Sequence, residues 1–188
     1  MFIRLPEPYN EGGGIHMKML TTQITGLLQR IAANEEEAIG MTARLLAQAT
    51  TGQGTVYIAA FGELGAVSAN AIRGAEPFEG AARYRGEEMT SADRVWILTR
   101  SAADAEALEL ARKLSERFIP FAATASEHED SEGNELAGLA TVYTSLGVKK
   151  GLLPAEDGGR TVLPHALAGL FIYEAVRLDY VELLAEFE

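Results

Sequence analysis

The stretch Thr99-Arg100-Ser101-Ala102-Ala103-Asp104-Ala105-Glu106 sets two hydroxyls, a guanidinium and a carboxylate in the turn between an apolar run and an amphipathic pattern. Val95 to Leu98 is the uninterrupted run that a parallel sheet covered on both faces buries. Beyond the turn Ala107, Leu110, Ala111, Leu114 and Phe118 recur at helical spacing, opposite Glu106, Glu109, Arg112, Lys113 and Glu116. A helix that starts behind the carboxyl end of a parallel strand offers unpaired N–H groups and a positive dipole end, which suit an anion such as phosphate. The same residues have a ligand-free reading. Ser101 with Asp104 three residues on has the form of a capping box, Asp standing in for Glu or Gln, and a carboxylate at 104 repels phosphate at close range.

A second strand-to-helix turn has the same layout. Thr55 to Phe61, rich in β-branched and aromatic residues, reads as a strand running into Gly62-Glu63-Leu64-Gly65-Ala66, with a helix over 66–73. Glycines there let a backbone approach a ligand closely, or simply make the turn. A dinucleotide site is the competing reading of this turn and fares worse: G-x-G-x-x-G is absent, and the second strand, over 82–85, ends in Tyr84 and Arg85 rather than in an acidic residue. The acidic run from Glu127 to Glu135, with His128, lacks the spacing of a calcium loop and reads as a solvated face, so no metal and no cofactor are expected.

The elements that must position these turns are legible along the chain. Leu20, Ile24, Leu27, Leu28 and Ile31 mark one helix, and Ala38, Ile39, Thr42, Leu45, Leu46 and Ala49 a second, with a capping-box spacing at Asn34 and Glu37 between them and Gly52 and Gly54 closing the second. Further strands are expected over 119–124 and 140–146, and a loop with one or two short turns over 147–161. A C-terminal helix starts near Pro164 and is apolar around most of its girth, with Leu167, Leu170, Phe171, Leu178 and Val181 on one stripe. Residues 1–16, with Pro6, Pro8 and Gly12-Gly13-Gly14, read as an extension outside a single domain over 17–188. Helices alternating with apolar strands imply an α/β fold: a three-layer αβα sandwich on a parallel, flavodoxin-like sheet, preceded by two N-terminal helices. Ligands in such folds bind outside the carboxyl ends of the strands, where both turns lie.

Composition narrows the function. A net charge of −11 disfavours nucleic acid and anionic membrane as partners, no apolar run reaches the length of a membrane span, and the absence of cysteine, with no basic-then-apolar layout at the N-terminus, is compatible with the cytoplasm, where the chain is expected.

The residues also carry a family resemblance. Thr99 to Glu106 resembles the sugar isomerase (SIS) signature S-x-S-G-x-[ST]-x-E, with Ala102 at the glycine and Asp104 at the last hydroxyl. The Gly62 turn resembles the first signature, G-x-G-G-S, with Leu64 at a glycine and Ala66 at the serine. Over 17–188 the chain is most similar to phosphoheptose isomerases, as a divergent branch. The resemblance implies a phosphosugar bound by Gly62, Glu63, Gly65, Thr99, Arg100, Ser101 and Asp104, with or without turnover. For aldose-ketose isomerisation it implies Glu76 as base, counted without gaps from Gly62, and His165 as a second catalytic candidate, the histidine that normally follows being Leu170. A solvated carboxylate at Glu76, a packing or capping role for His165, and a purely structural or partner-binding module are the alternatives. The surplus of apolar helix surface implies a homodimer or homotetramer, as SIS domains typically form.

Overall fold

The computed structural model describes residues 12–127 and 133–186. Its centre is a five-stranded, all-parallel sheet of β1 (Val56–Ala60), β2 (Ala81–Arg83), β3 (Arg94–Ser101), β4 (Phe121–Ser126) and β5 (Val142–Ser145), in the order β2-β1-β3-β4-β5. That is the flavodoxin-like order, with its switch point between β1 and β3. The central strands are apolar on both faces because both faces are covered. Trp96 and Leu98 of β3 and Ala122 of β4 pack with the core under α1 (Gly12–Thr51), α2 (Gly65–Arg73) and α5 (His165–Ala185). Val95 and Ile97 of β3, with Phe121, Ala123 and Ala125 of β4, pack with the core under α3 (Ala105–Glu116) and α4 (Glu135–Leu139). These are the three layers expected of the α/β chain.

The N-terminal region departs from expectation: one 40-residue helix replaces two. Ile31, Glu35, Ile39, Thr42 and Leu46 fall on one continuous stripe through the proposed break, Asn34 and Glu37 lie on the exposed side, and nothing between them stops a helix. Its length is about 60 Å, and most residues over 14–26 are exposed. Of the expected extension over 1–16, residues 12–16 belong to α1 and the rest lie outside the described residues. The expected loop over 147–161 contains an antiparallel pair, β6 (Leu153–Pro154) with β7 (Arg160–Thr161).

Two contacts fix the sheet's carboxyl edge. Gly62, with φ +54°, turns the chain out of β1 into a single 3-10 turn over Gly62–Leu64, a conformation that disfavours any side chain. A Cβ on Gly169 would lie 2.4 Å from Leu64 Cδ1 in filled core, so glycine there lets α5 lie against that turn and brings its first residue, His165, beside Glu63.

Candidate functional site

The site is built where β1, β3, β4 and β5 end. The β3–β4 register shifts between Leu98 and Ser101, the mark of a bulge, and the two residues inside the shift part ways: Thr99 is fully buried and Arg100 exposed. Thr99 Oγ1 donates to Asp104 Oδ2 at 2.9 Å, while Asp104 Oδ1 accepts from the Glu106 and Ala107 N–H groups at 3.0 and 3.1 Å. Asp104 is therefore the N-cap of α3, in place of the expected Ser101, whose hydroxyl accepts from Ala103 N at 3.2 Å. The cap shifts because a carboxylate accepts several bonds at once, and here it satisfies two orphan helix N–H groups and a buried hydroxyl together. The anion expected at this helix start is the chain's own.

Three adjoining hollows line this edge. One of about 550 Å³ is bounded by Arg100, Ser101, Asp104 and Ser126, by Lys149 after β5, and by His165. A second, of about 580 Å³, shares Glu127, Val148 and Lys149 with the first and extends along α1 past Glu35 and Arg30 to Lys150 and Arg160. The third, about 350 Å³, sits at the switch point between Gly62, Glu63, Thr99, Arg100 and Asp104. Gly65, the remaining expected ligand residue, opens α2 with φ −51°, and a Cβ there would meet nothing within 4 Å, so the backbone does not demand glycine.

Inside the first hollow, His165 is 5% exposed and its Nδ1 lies 3.3 Å from Glu63 Oε1. Ser126 Oγ, on a side chain of equal burial, has no hydrogen-bond partner among the described residues. Buried hydroxyls are ordinarily satisfied, so this one is an open donor and acceptor at the hollow's wall. Where the two larger hollows meet, Ser145 is held from two sides: its N–H donates to Glu35 Oε2 and its hydroxyl to Glu127 Oε2, each at 3.0 Å. Burial raises the Glu35 carboxyl above its ordinary range; the Ser145 N–H opposes that, and the neighbouring Glu127 charge adds to it. Among the described residues, no group of three or more His, Asp or Glu is placed to hold a metal ion, and no helix is long and apolar enough to cross a membrane.

Glu76 stands elsewhere. It follows α2, which has returned from the carboxyl edge to the amino edge of the sheet, and it pairs with Arg177 while remaining mostly exposed. Arg177 lies twelve residues, about 18 Å, down α5 from His165. Within one chain, then, Glu76 does not line the hollow that contains His165. Sequence reasoning also passed over Glu35, Ser126 and Glu127 as site residues. Glu35 had a usable signal, being the one charged residue on the otherwise apolar stripe through Ile31, Ile39 and Leu46.

Comparison with known proteins agrees with this architecture. A family model described as Domain of unknown function (DUF2529) matches residues 17–184. An uncharacterized protein of Bacillus subtilis strain 168, YwjG, is 34% identical over 173 residues, covering 91% of this chain and 99% of its own. Among solved structures, the Vibrio vulnificus NanR protein complexed with ManNAc-6P superposes with a TM-score of 0.63 at 14% identity, over 92% of this chain and 64% of that one. A phosphoheptose isomerase from Francisella tularensis gives 0.60 at 10% identity, over 92% and 99%. The fold is that of the phosphosugar isomerases, as the sequence resemblance implies.

Proposed function

The chain belongs to the DUF2529 family, and we propose that it binds a phosphosugar, or a sugar carrying a similar anion, in the hollows at the carboxyl edge of its sheet. The observation that carries this reading is the first hollow: Arg100, Ser101, Lys149 and His165 converge on it together with the open hydroxyl of Ser126, where parallel α/β sheets take their ligands. Cations gathered at one cleft of a chain with net charge −11 favour a small anionic ligand over a polyanion. That NanR is solved with ManNAc-6P supports the same class of ligand. Thermal-shift measurements against a panel of sugar phosphates test it. A ligand at one hundred times its Kd adds about 2.7 kcal/mol of stability, roughly 5–11 °C in Tm for a chain of this size. A well-folded sample that responds to no member of the panel refutes it.

The Glu63–His165 pair favours a second reading, an aldose-ketose isomerase in which His165 moves a proton on the bound sugar and Glu63 orients the imidazole. Solvent deuterium then enters a bound sugar phosphate, and Glu63→Gln slows that exchange while Glu76→Gln does not. Absence of exchange with every bound sugar leaves binding as the whole function. The proposal places the protein in the cytoplasm as a homodimer or homotetramer.

A further inference from the structure

Resting on the sugar-phosphate reading, we infer that this chain seats the phosphate away from the start of α3, on Arg30, Lys149 and Lys150 in the second hollow, and that Asp104 is the residue that closes the helix start to it. Both oxygens of Asp104 are engaged, one by the Glu106 and Ala107 N–H groups and the other by Thr99. A phosphate arriving there would have to displace a carboxylate that is already hydrogen-bonded, or sit against its charge. Two donors of the loop are spent, since Thr99 gives its proton to Asp104 and the Ala103 N–H goes to Ser101 Oγ; the Ser101 hydroxyl proton and the Arg100 guanidinium remain, and both line the first hollow, where they face the sugar.

The second hollow has the opposite character. Arg30, Lys149 and Lys150 have no hydrogen-bond or ion-pair partner among the described residues, and the Arg160 guanidinium beside them is anchored by donating to the Gly151 and Leu152 carbonyls. Against these four cations stand Glu35 and Glu127, both already accepting from Ser145. The surplus of two positive charges matches a phosphomonoester dianion. Because the two larger hollows share Glu127, Val148 and Lys149, one ligand spans both, with its phosphate at the lysines and its hydroxyls towards Ser126 and His165. Asp104 is thus a specificity-determining residue, fixing which end of the cleft reads the anion.

Isothermal titration with sugar phosphates, including ManNAc-6P, and with each unphosphorylated counterpart decides this. Wild type should prefer the phosphorylated form. Lys149→Gln/Lys150→Gln should weaken that form by at least about tenfold and leave the unphosphorylated sugar unaffected. Asp104→Ser, which keeps a capping side chain, should bind inorganic phosphate more tightly than wild type does. Unchanged affinity in the lysine variant, or loss of sugar phosphate in Asp104→Ser with its fold intact by circular dichroism, overturns the seat while leaving sugar-phosphate binding in place. No binding of any phosphorylated sugar by wild type overturns the functional reading, and the seat with it.

Discussion

Replacing Asp104 with alanine removes three hydrogen bonds of two kinds, and their costs can be worked separately. Loss of the cap over Glu106 and Ala107 costs about 1 kcal/mol. The Thr99 hydroxyl is fully buried and its acceptor is gone, which costs about 1–3 kcal/mol more. The sum centres near 3 kcal/mol, or roughly 6–12 °C in Tm for a domain of this size. Thr99→Val alone removes one donor from a carboxylate that keeps both backbone N–H groups, at about 1 kcal/mol. The double variant Thr99→Val/Asp104→Ala loses the cap but leaves no stranded hydroxyl, so it should be no less stable than Asp104→Ala alone. Urea denaturation of the four proteins at neutral pH closes the cycle, with a coupling of about 1–2 kcal/mol expected. Additive costs, or an Asp104→Ala penalty under about 0.5 kcal/mol, would refute the assignment of Asp104 as a saturated cap.

Asp93 joins the starts of β1 and β3 by accepting from Thr55 N at 2.9 Å and from Thr90 N and Oγ1 at 2.7 and 2.9 Å. Burial pushes its carboxyl up, but these bonds and the adjacent Arg94 outweigh that and hold it below its ordinary range. Its contribution is therefore present above the unfolded value near 3.9 and lost as pH falls through the lower folded one. Asp93→Asn should cost about 2 kcal/mol at pH 7, and urea curves should show the gap narrowing below about pH 4. Glu35 has the opposite sign: its raised carboxyl contributes most below the unfolded value near 4.3 and loses that stability as pH rises through the folded one. Glu35→Gln should then stabilise the protein at pH 7, by about 0.5 kcal/mol after solvent screening of a half-buried group, with no gain at pH 4; equal effects at both pH values refute it. Light scattering at low micromolar concentration should give a dimer or larger, since Ile15, Met17 and Met19 of α1 and Leu167, Leu178 and Val181 of α5 are exposed; the 20.2 kDa mass of one chain refutes it.

The sandwich was legible because its signal is local. The inner strands β1, β3 and β4 are short apolar runs whose two faces meet different cores, and the helices between them keep one stripe each, so their order and type follow from period alone. The break proposed in α1 shows the limit of capping patterns. Asn34 and Glu37 have the spacing of a box, but a box forms only where the backbone leaves the helix, and the stripe through Ile31, Glu35 and Ile39 keeps the backbone helical by burying it.

The site was legible only in part, because its residues meet through the topology. Glu63 and His165 stand 3.3 Å apart across 102 positions of sequence, joined by the close approach of Gly169 to Leu64. Glu35 reaches Ser145 only because α1 runs unbroken past the end of β5. The Thr99 turn was found from its pattern, yet the pattern alone left open whether Asp104 repels a ligand or caps a helix. The two roles have one physical basis. A helix start has a fixed number of free N–H groups, and a carboxylate bound to them excludes an external anion by occupancy as well as by charge. A serine or threonine at 104 would still cap the helix but bring no charge, leaving room for an external anion. Of the two departures that made the motif look degenerate, Ala102 and Asp104, it is Asp104 that, on the proposed seat, redirects the anion across the cleft to the unpaired lysines.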